Sequence, residues 1–219
     1  MEILRKRPEF DSRLWTVVAC LIAIIAINAA SAVVLSRAVA HRIVFHDGQV
    51  AQEFLNNMIA TEASGGRLFD TPAPGPALVT FANHVRNLPG MVRANIYSLD
   101  GFIRYSTEPN LVGLKFTNNP ELTASFEGKL ISKLETVSDK PEHLALNRLS
   151  GEQLVEAYIP VGDGKGRVAA VVEFYRNPAA VKAVIGEVTG LIWLSAALGG
   201  LLTILALSAA LRWPKGIGV

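Results

Sequence analysis

Two stretches of the chain, residues 15–35 and 191–211, carry no charged side chain. Each is about 20 residues long, the length at which a helix crosses ~30 Å of hydrocarbon. Between them the hydrophobic pattern breaks into short helical and alternating periods. Residues 36–60 place Ile43, Val50, Phe54, Leu55, Met58 and Ile59 mostly on one face, so a helix is predicted to continue out of the first apolar stretch. Gly48 weakens it locally. A Gly, Ser and Pro-rich loop over 61–76 follows, then an amphipathic helix over 77–88 (Leu78, Phe81, Val85, Leu88) stopped by Pro89-Gly90. Residues 91–98 and 102–107 are β-branched and aromatic and flank Asp100-Gly101, which predicts a hairpin with a type I′ turn. Asn119-Pro120 opens a short helix, with Asn119 as cap and Pro120 at its first position. Residues 129–138 read as a strand, and 139–151 are too polar and irregular to place. Residues 152–161 and 167–176 make a second hairpin around Gly162-Asp163-Gly164-Lys165-Gly166, and 178–189 run as a helix into the second apolar stretch. Hairpin-joined strands with separate helices give an α+β fold with an antiparallel sheet.

Charge adds direction to this plan. Arg5, Lys6, Arg7 and Arg13 precede the first apolar stretch, and Arg212 and Lys215 follow the second. Positive flanks stay cytoplasmic, so both termini are expected inside and residues 36–190 outside, with 1–14 and 212–219 as the cytoplasmic ends. Ala38-Val39-Ala40 has the form of a signal-peptidase site, but the apolar run exceeds a signal peptide's core, which favours an uncleaved anchor. The 14 Lys and Arg against 16 Asp and Glu between Ala38 and Thr189 exclude a basic nucleic-acid surface. The single cysteine, Cys20, lies in the first apolar stretch and leaves the redox compartment open.

Little in the chain suggests catalysis. Gly162–Gly166 is rich enough in glycine for a phosphate loop, but Val168-Ala169-Ala170-Val171-Val172 after it is a strand, and the helix that would aim N–H groups at a phosphate is missing. His41, His46, His84 and His143 show no ligand spacing, so neither metal nor cofactor is expected. Ser106 and Thr107 have no base beside them. Inside the apolar stretches, Asn28 needs a partner in hydrocarbon, and Ser195, Gly199, Gly200 and Thr203 allow close helix approach. These positions predict span packing in a parallel homodimer. Trp193 and Trp213 suit interfacial anchors.

The run Phe102-Ile103-Arg104-Tyr105-Ser106-Thr107-Glu108-Pro109-Asn110-Leu111-Val112-Gly113-Leu114-Lys115-Phe116 resembles the centre of a Cache domain. These are PAS-like extracytoplasmic sensor domains of bacterial sensor histidine kinases and chemoreceptors. The helix ending in Gly128-Lys129, the Ile159-Pro160-Val161 strand and the valine-rich run 168–175 continue the pattern, which covers about residues 36–183. The resemblance implies a two-pass protein of the bacterial inner membrane with a periplasmic or extracellular sensor domain. Only eight residues follow Leu211, too few for a transmitter. The chain is therefore expected to be the input half of a longer kinase or a stand-alone sensor without kinase activity, reaching a transmitter domain or response regulator only through a separate output.

Carboxylate-sensing relatives carry Arg-Tyr-Ser-His after the first turn and further basic residues before the Pro-hydrophobic pair. Here Arg104 keeps the first position, Thr107 replaces the His, and Glu156 and Tyr158 stand where Arg and Lys would be. The resemblance implies that Arg104 lies near Glu156 and Tyr158. The expectations are then poor affinity for di- and tricarboxylates, with either a zwitterion or amine held between Arg104 and Glu156 or an internal ion pair. A different class remains in view: a membrane scaffold whose PAS-like domain only binds proteins. A polar pocket beside the sheet would favour sensing, and a filled sheet face would favour the scaffold.

Overall fold

Apolar and polar residues alternate along the strands, and that alternation gives the sheet two different faces. The computed structural model describes residues 12–61, 75–116, 118–138, 146 and 148–212. Its helices are α1 (Ser12–Thr61), α2 (Pro76–Arg86), α3 (Pro120–Phe126) and α4 (Ala179–Arg212). Its strands are β1 (Met91–Ser98), β2 (Ile103–Ser106), β3 (Ile131–Thr136), β4 (Gln153–Gly162) and β5 (Val168–Arg176). The strands form one antiparallel sheet in the order β2-β1-β5-β4-β3. The α+β architecture agrees with the sequence reading. The N-terminal basic run, most of the 61–76 loop, His143, Trp213 and Lys215 lie outside the described residues.

The chain divides into two units. One contains the apolar parts of α1 and α4, both long and apolar enough to cross a membrane, with mean hydropathy of 2.6 and 2.1. Within it, Asn28 Nδ2 donates to the Ile24 carbonyl one turn back (2.9 Å). A Cβ added to Gly200 would lie 3.8 Å from Asn28 Cγ, and one on Gly199 would lie 3.9 Å from its Oδ1. The glycines of α4 thus sit against Asn28 of the same chain. Ser195 and Thr203 are exposed and donate to carbonyls of their own helix, Ile192 and Gly199. The small-residue stripe therefore splits between two surfaces.

The second unit, Ala40–Ile185, holds the sheet. One sheet face is apolar: Ala94, Ile96, Ala157, Ile159, Val172 and Phe174 pack on Ala51, Leu55 and Ile59 of α1 and on Leu78, Phe81 and Val85 of α2. These α1 positions repeat at four residues, one stripe of the helix. Val50 and Phe54, expected on that stripe, are exposed at 54% and 44%, because the buried stripe runs through Val44 and Ala51 instead. Asn119 caps α3 as expected, its Oδ1 accepting from Leu122 N (2.7 Å).

The first hairpin differs from its expected turn. Gly101 N donates to the Ser98 carbonyl (2.8 Å), so Leu99 and Asp100 are the central pair and Gly101, with φ +84°, follows them. This is a longer connection than the two-residue turn Asp-Gly suggests. The second hairpin is a turn, as its context required. Asp163 Oδ1 accepts from Lys165 N and Arg167 N and ties the glycine-rich loop on itself.

Candidate functional site

The other face of the sheet is polar and yet buried. β1 contributes Arg93, Asn95 and Tyr97, β4 contributes Glu156 and Tyr158, and β5 contributes Glu173 and Tyr175. Period-two alternation places all seven on this side, and none is more than 1% exposed. Strand register lines them up in two rows across the sheet. The first runs Arg93, Tyr175, Glu156, Lys133 on β1, β5, β4 and β3. The second runs Ser106, Asn95, Glu173, Tyr158 on β2, β1, β5 and β4.

Buried polar groups are costly unless hydrogen-bonded, and this cluster is densely bonded. Glu173 Oε2 accepts from Asn95 Nδ2 (2.6 Å) and from the Tyr97 hydroxyl (2.9 Å). Ser106 donates to Asn95 Oδ1 (2.6 Å), which orients that amide. Glu173 Oε1 lies 3.0 Å from the Tyr158 hydroxyl and 2.7 Å from that of Tyr175. Glu156 Oε1 lies 2.7 Å from Tyr175 and 3.3 Å from Tyr158. Asn119, the cap of α3, donates to the Tyr158 oxygen (2.8 Å) and ties that helix to the cluster. Burial, and next the Glu173 charge, push all three tyrosine hydroxyls well above the usual phenol range.

Among the described residues, two cations flank the carboxylates. Lys133 Nζ lies 3.2 Å from Glu156 Oε2, but it is also 2.6 Å from Glu121 and 3.5 Å from Glu135. Arg93 stacks on the Tyr175 ring (4.3 Å to its centroid) and lies 3.8 Å from Glu173 Oε1. None of its guanidinium nitrogens has a hydrogen-bond partner. That is unusual for a group with five donors and 1% exposure.

The expected site residues separate. Glu156 and Tyr158 do share a face and a cluster. Arg104 does not join them, and no Arg104–Glu156 ion pair forms. A bulge between Ile96 and Tyr97 leaves Arg104 without a partner on β1, since Ile96 faces Tyr105 and Tyr97 faces Ile103. Bulges re-aim the extra side chain. Arg104 turns to the hairpin, bonding Asp100 Oδ2 (2.7 Å) and Ser98 Oγ (2.8 Å). Thr107 stands beside the cluster rather than in it: its hydroxyl accepts from Ala94 N (3.1 Å), and Ser106 makes the inward contact. The residues that sequence reasoning missed are Arg93, Asn95, Tyr97, Glu173 and Tyr175. Their signal was present as polar residues at alternate positions of strands otherwise rich in Val, Ile and Ala.

The seven side chains of this face are buried. A cleft of about 730 Å³ lies elsewhere, between α1 and the β4–β5 turn, with Gln52, Asn56 and Arg167 among its lining. Among the described residues no group of three His, Cys, Asp or Glu is placed to hold a metal ion.

Neither a protein-family model nor a curated protein sequence matches the chain. Solved structures do resemble it. The E. coli DcuS sensor domain is 13% identical with a TM-score of 0.38, covering 63% of this chain and 98% of that one. The extracellular domain of rpHK1S-Z16, described as a histidine kinase, is 16% identical with a TM-score of 0.41, covering 70% of this chain and 58% of that one. An extracellular ligand-binding receptor from Desulfohalobium retbaense DSM5692 is 13% identical with a TM-score of 0.39, covering 65% and 26%.

Proposed function

We propose that the chain is a membrane-bound sensory input module, with the sheet unit outside the inner membrane and both termini in the cytoplasm. The observation that carries this reading is connectivity. The sheet unit is bracketed by two helices apolar enough to cross a membrane, and β5, which bears Glu173 and Tyr175, reaches α4 through Asn177 and Pro178 alone. Asn177 Oδ1 accepts from Ala179 N (2.8 Å), so the joint is braced at the helix start. Arg176, the last residue of β5, also binds Asp47 of α1. A shift of β5 is thereby offered to both membrane helices. The physical content of signalling is a stimulus that binds one arrangement of these elements better than another. Output passes to a transmitter, in the same chain or separate, and a parallel homodimer is the arrangement in which two such inputs meet.

The scaffold reading draws on the burial of the polar face, whose seven side chains are bonded mainly to one another among the described residues. Labelling separates topology from either. In a Cys20→Ala background, an impermeant maleimide should modify Lys165→Cys in intact cells and spare Lys215→Cys. Modification of residue 215, or of both, overturns the assignment of sides.

A further inference from the structure

The cleft of about 730 Å³ between α1 and the β4–β5 turn has the size at which protein sites hold small ligands, and none of the seven buried polar residues lines it. Its chemistry follows from where β3 ends. β3 pairs with β4 only as far as Ile131, opposite Tyr158. Beyond that point the backbone of β4 takes partners from α1. The Pro160 carbonyl accepts from Gln52 Nε2 (3.0 Å), and Gly162 N donates to Asn56 Oδ1 (3.0 Å). Backbone polar groups leaving a ladder need partners, and two side-chain amides stand here in place of a strand.

Those two bonds fix which way each amide points. A carboxamide that donates to a carbonyl presents its own oxygen onward, and one that accepts from an N–H presents its own NH2. Gln52 Oε1 is therefore a free acceptor and Asn56 Nδ2 a free donor among the described residues. Both residues are half-buried, line the cleft and lie one helical turn apart on the same face of α1. The pair repeats, one layer out, the acceptor and donor of the β4 edge beneath it. In an extended peptide the C=O and N–H of one residue point to the same side, so a single residue can satisfy both.

The rest of the cleft agrees with a backbone ligand. Ile59 and Val168 supply apolar lining, and at Gly164 and Gly166 a Cβ would meet open space. Arg167 brings no net charge, because its Nε and Nη2 are both paired with Asp163 Oδ2 (2.8 Å each). Hydrogen-bond pattern rather than charge thus decides what fits. Both amides are held by β4 before any ligand arrives, which lowers the ordering cost of binding.

We propose that this cleft binds a short, uncharged peptide segment, one residue of which accepts from Asn56 Nδ2 and donates to Gln52 Oε1. Such a ligand joins α1, a helix unbroken from Ser12 to Thr61, to the end of the β4–β5 hairpin. It offers the sensory reading a stimulus of stated chemistry, and the binding itself does not depend on that reading.

The test uses N-acetylalanine N-methylamide, a blocked residue with both groups, and N-acetylproline N,N-dimethylamide, which has no N–H. Saturation-transfer NMR on the full chain in lipid nanodiscs, with empty nanodiscs as the blank, should show transfer to the first compound. The second should bind about tenfold more weakly, the loss that one neutral hydrogen bond carries. Asn56→Asp still accepts from Gly162 N, so it should melt as the native chain does. It should nevertheless bind the first compound about tenfold less, because a carboxylate oxygen replaces the donor. No transfer to the first compound up to its solubility, or equal affinity for the two, overturns the proposal on the native chain alone. Unchanged binding in a folded Asn56→Asp overturns it as well. The maleimide labelling above tests topology separately, so failure of one leaves the other standing.

Discussion

Gly48 of α1 lies so close to Ser132 of β3 that a Cβ added to the glycine would sit 2.7 Å from the serine Cβ. The approach also lets Ser132 Oγ donate to the Val44 carbonyl (2.9 Å). Gly48→Ala raises helix propensity by about 1 kcal/mol, but it forces strand and helix apart, a cost of about 1–3 kcal/mol. The net expectation is a lower melting temperature. Gly186→Ala, where a Cβ meets nothing within 4 Å, should leave it unchanged or higher. Equal effects at the two sites would contradict the close contact.

The three buried tyrosines set a pH response at the alkaline end. Burial, then Glu173, raises the pKa of Tyr97, Tyr158 and Tyr175. In the unfolded chain phenols release protons near about pH 10. Above that pH the folded state holds more protons than the unfolded one, so stability falls as pH rises; below it the contribution is complete. Phenolate absorbance from these residues should appear together with loss of circular dichroism. Ionisation of all three while the sheet remains folded would contradict the burial argument.

Arg104 and Glu156 should be energetically independent. Arg104→Ala removes a surface pair with Asp100, worth less than about 1 kcal/mol. Its effect should add to that of Glu156→Gln within about 0.5 kcal/mol in a double-mutant cycle, as expected for residues without shared partners. The cycle between Lys133 and Glu156 should instead show coupling. A large Arg104–Glu156 coupling would restore the arrangement implied by the family resemblance.

Citrate, malate and succinate should give no thermal stabilisation of the full chain. Two buried glutamates, with Arg93 already beside Glu173 and Lys133 shared among three carboxylates, oppose a second or third carboxylate among the described residues of this face. A stabilisation that disappears in Arg93→Gln would show that the face opens to admit an anion.

Most of the fold could be read from periodicity, because burial enforces it. β1 was bounded at residues 91–98 by its β-branched and aromatic run, and Asn119-Pro120 marked the start of α3 by capping chemistry alone. The partner of Glu156 was not legible. A one-residue bulge at Ile96 and Tyr97 decided where Arg104 points, and bulges leave no reliable mark in a single sequence. Lys133 and Tyr175 reach Glu156 only through strand order, which local pattern does not give. Val50 and Phe54 were misplaced for a related reason: several stripes of α1 are apolar, and packing selects among them.

The two polar rows also constrain how the sheet can assemble. β4 sets Glu156 opposite Tyr175 and Tyr158 opposite Glu173. A slip of β4 by two residues one way would keep the faces correct but bring the Glu156 carboxyl directly against that of Glu173, with Tyr158 moved opposite Val171. The opposite slip would place Glu173 against Pro160 and deprive it of the Tyr158 hydroxyl. A one-residue slip would turn Glu156 and Tyr158 into the apolar core. Valine and alanine alone would tolerate such misalignments far better, so the buried charges act as registration marks that reject a misthreaded sheet before it consolidates.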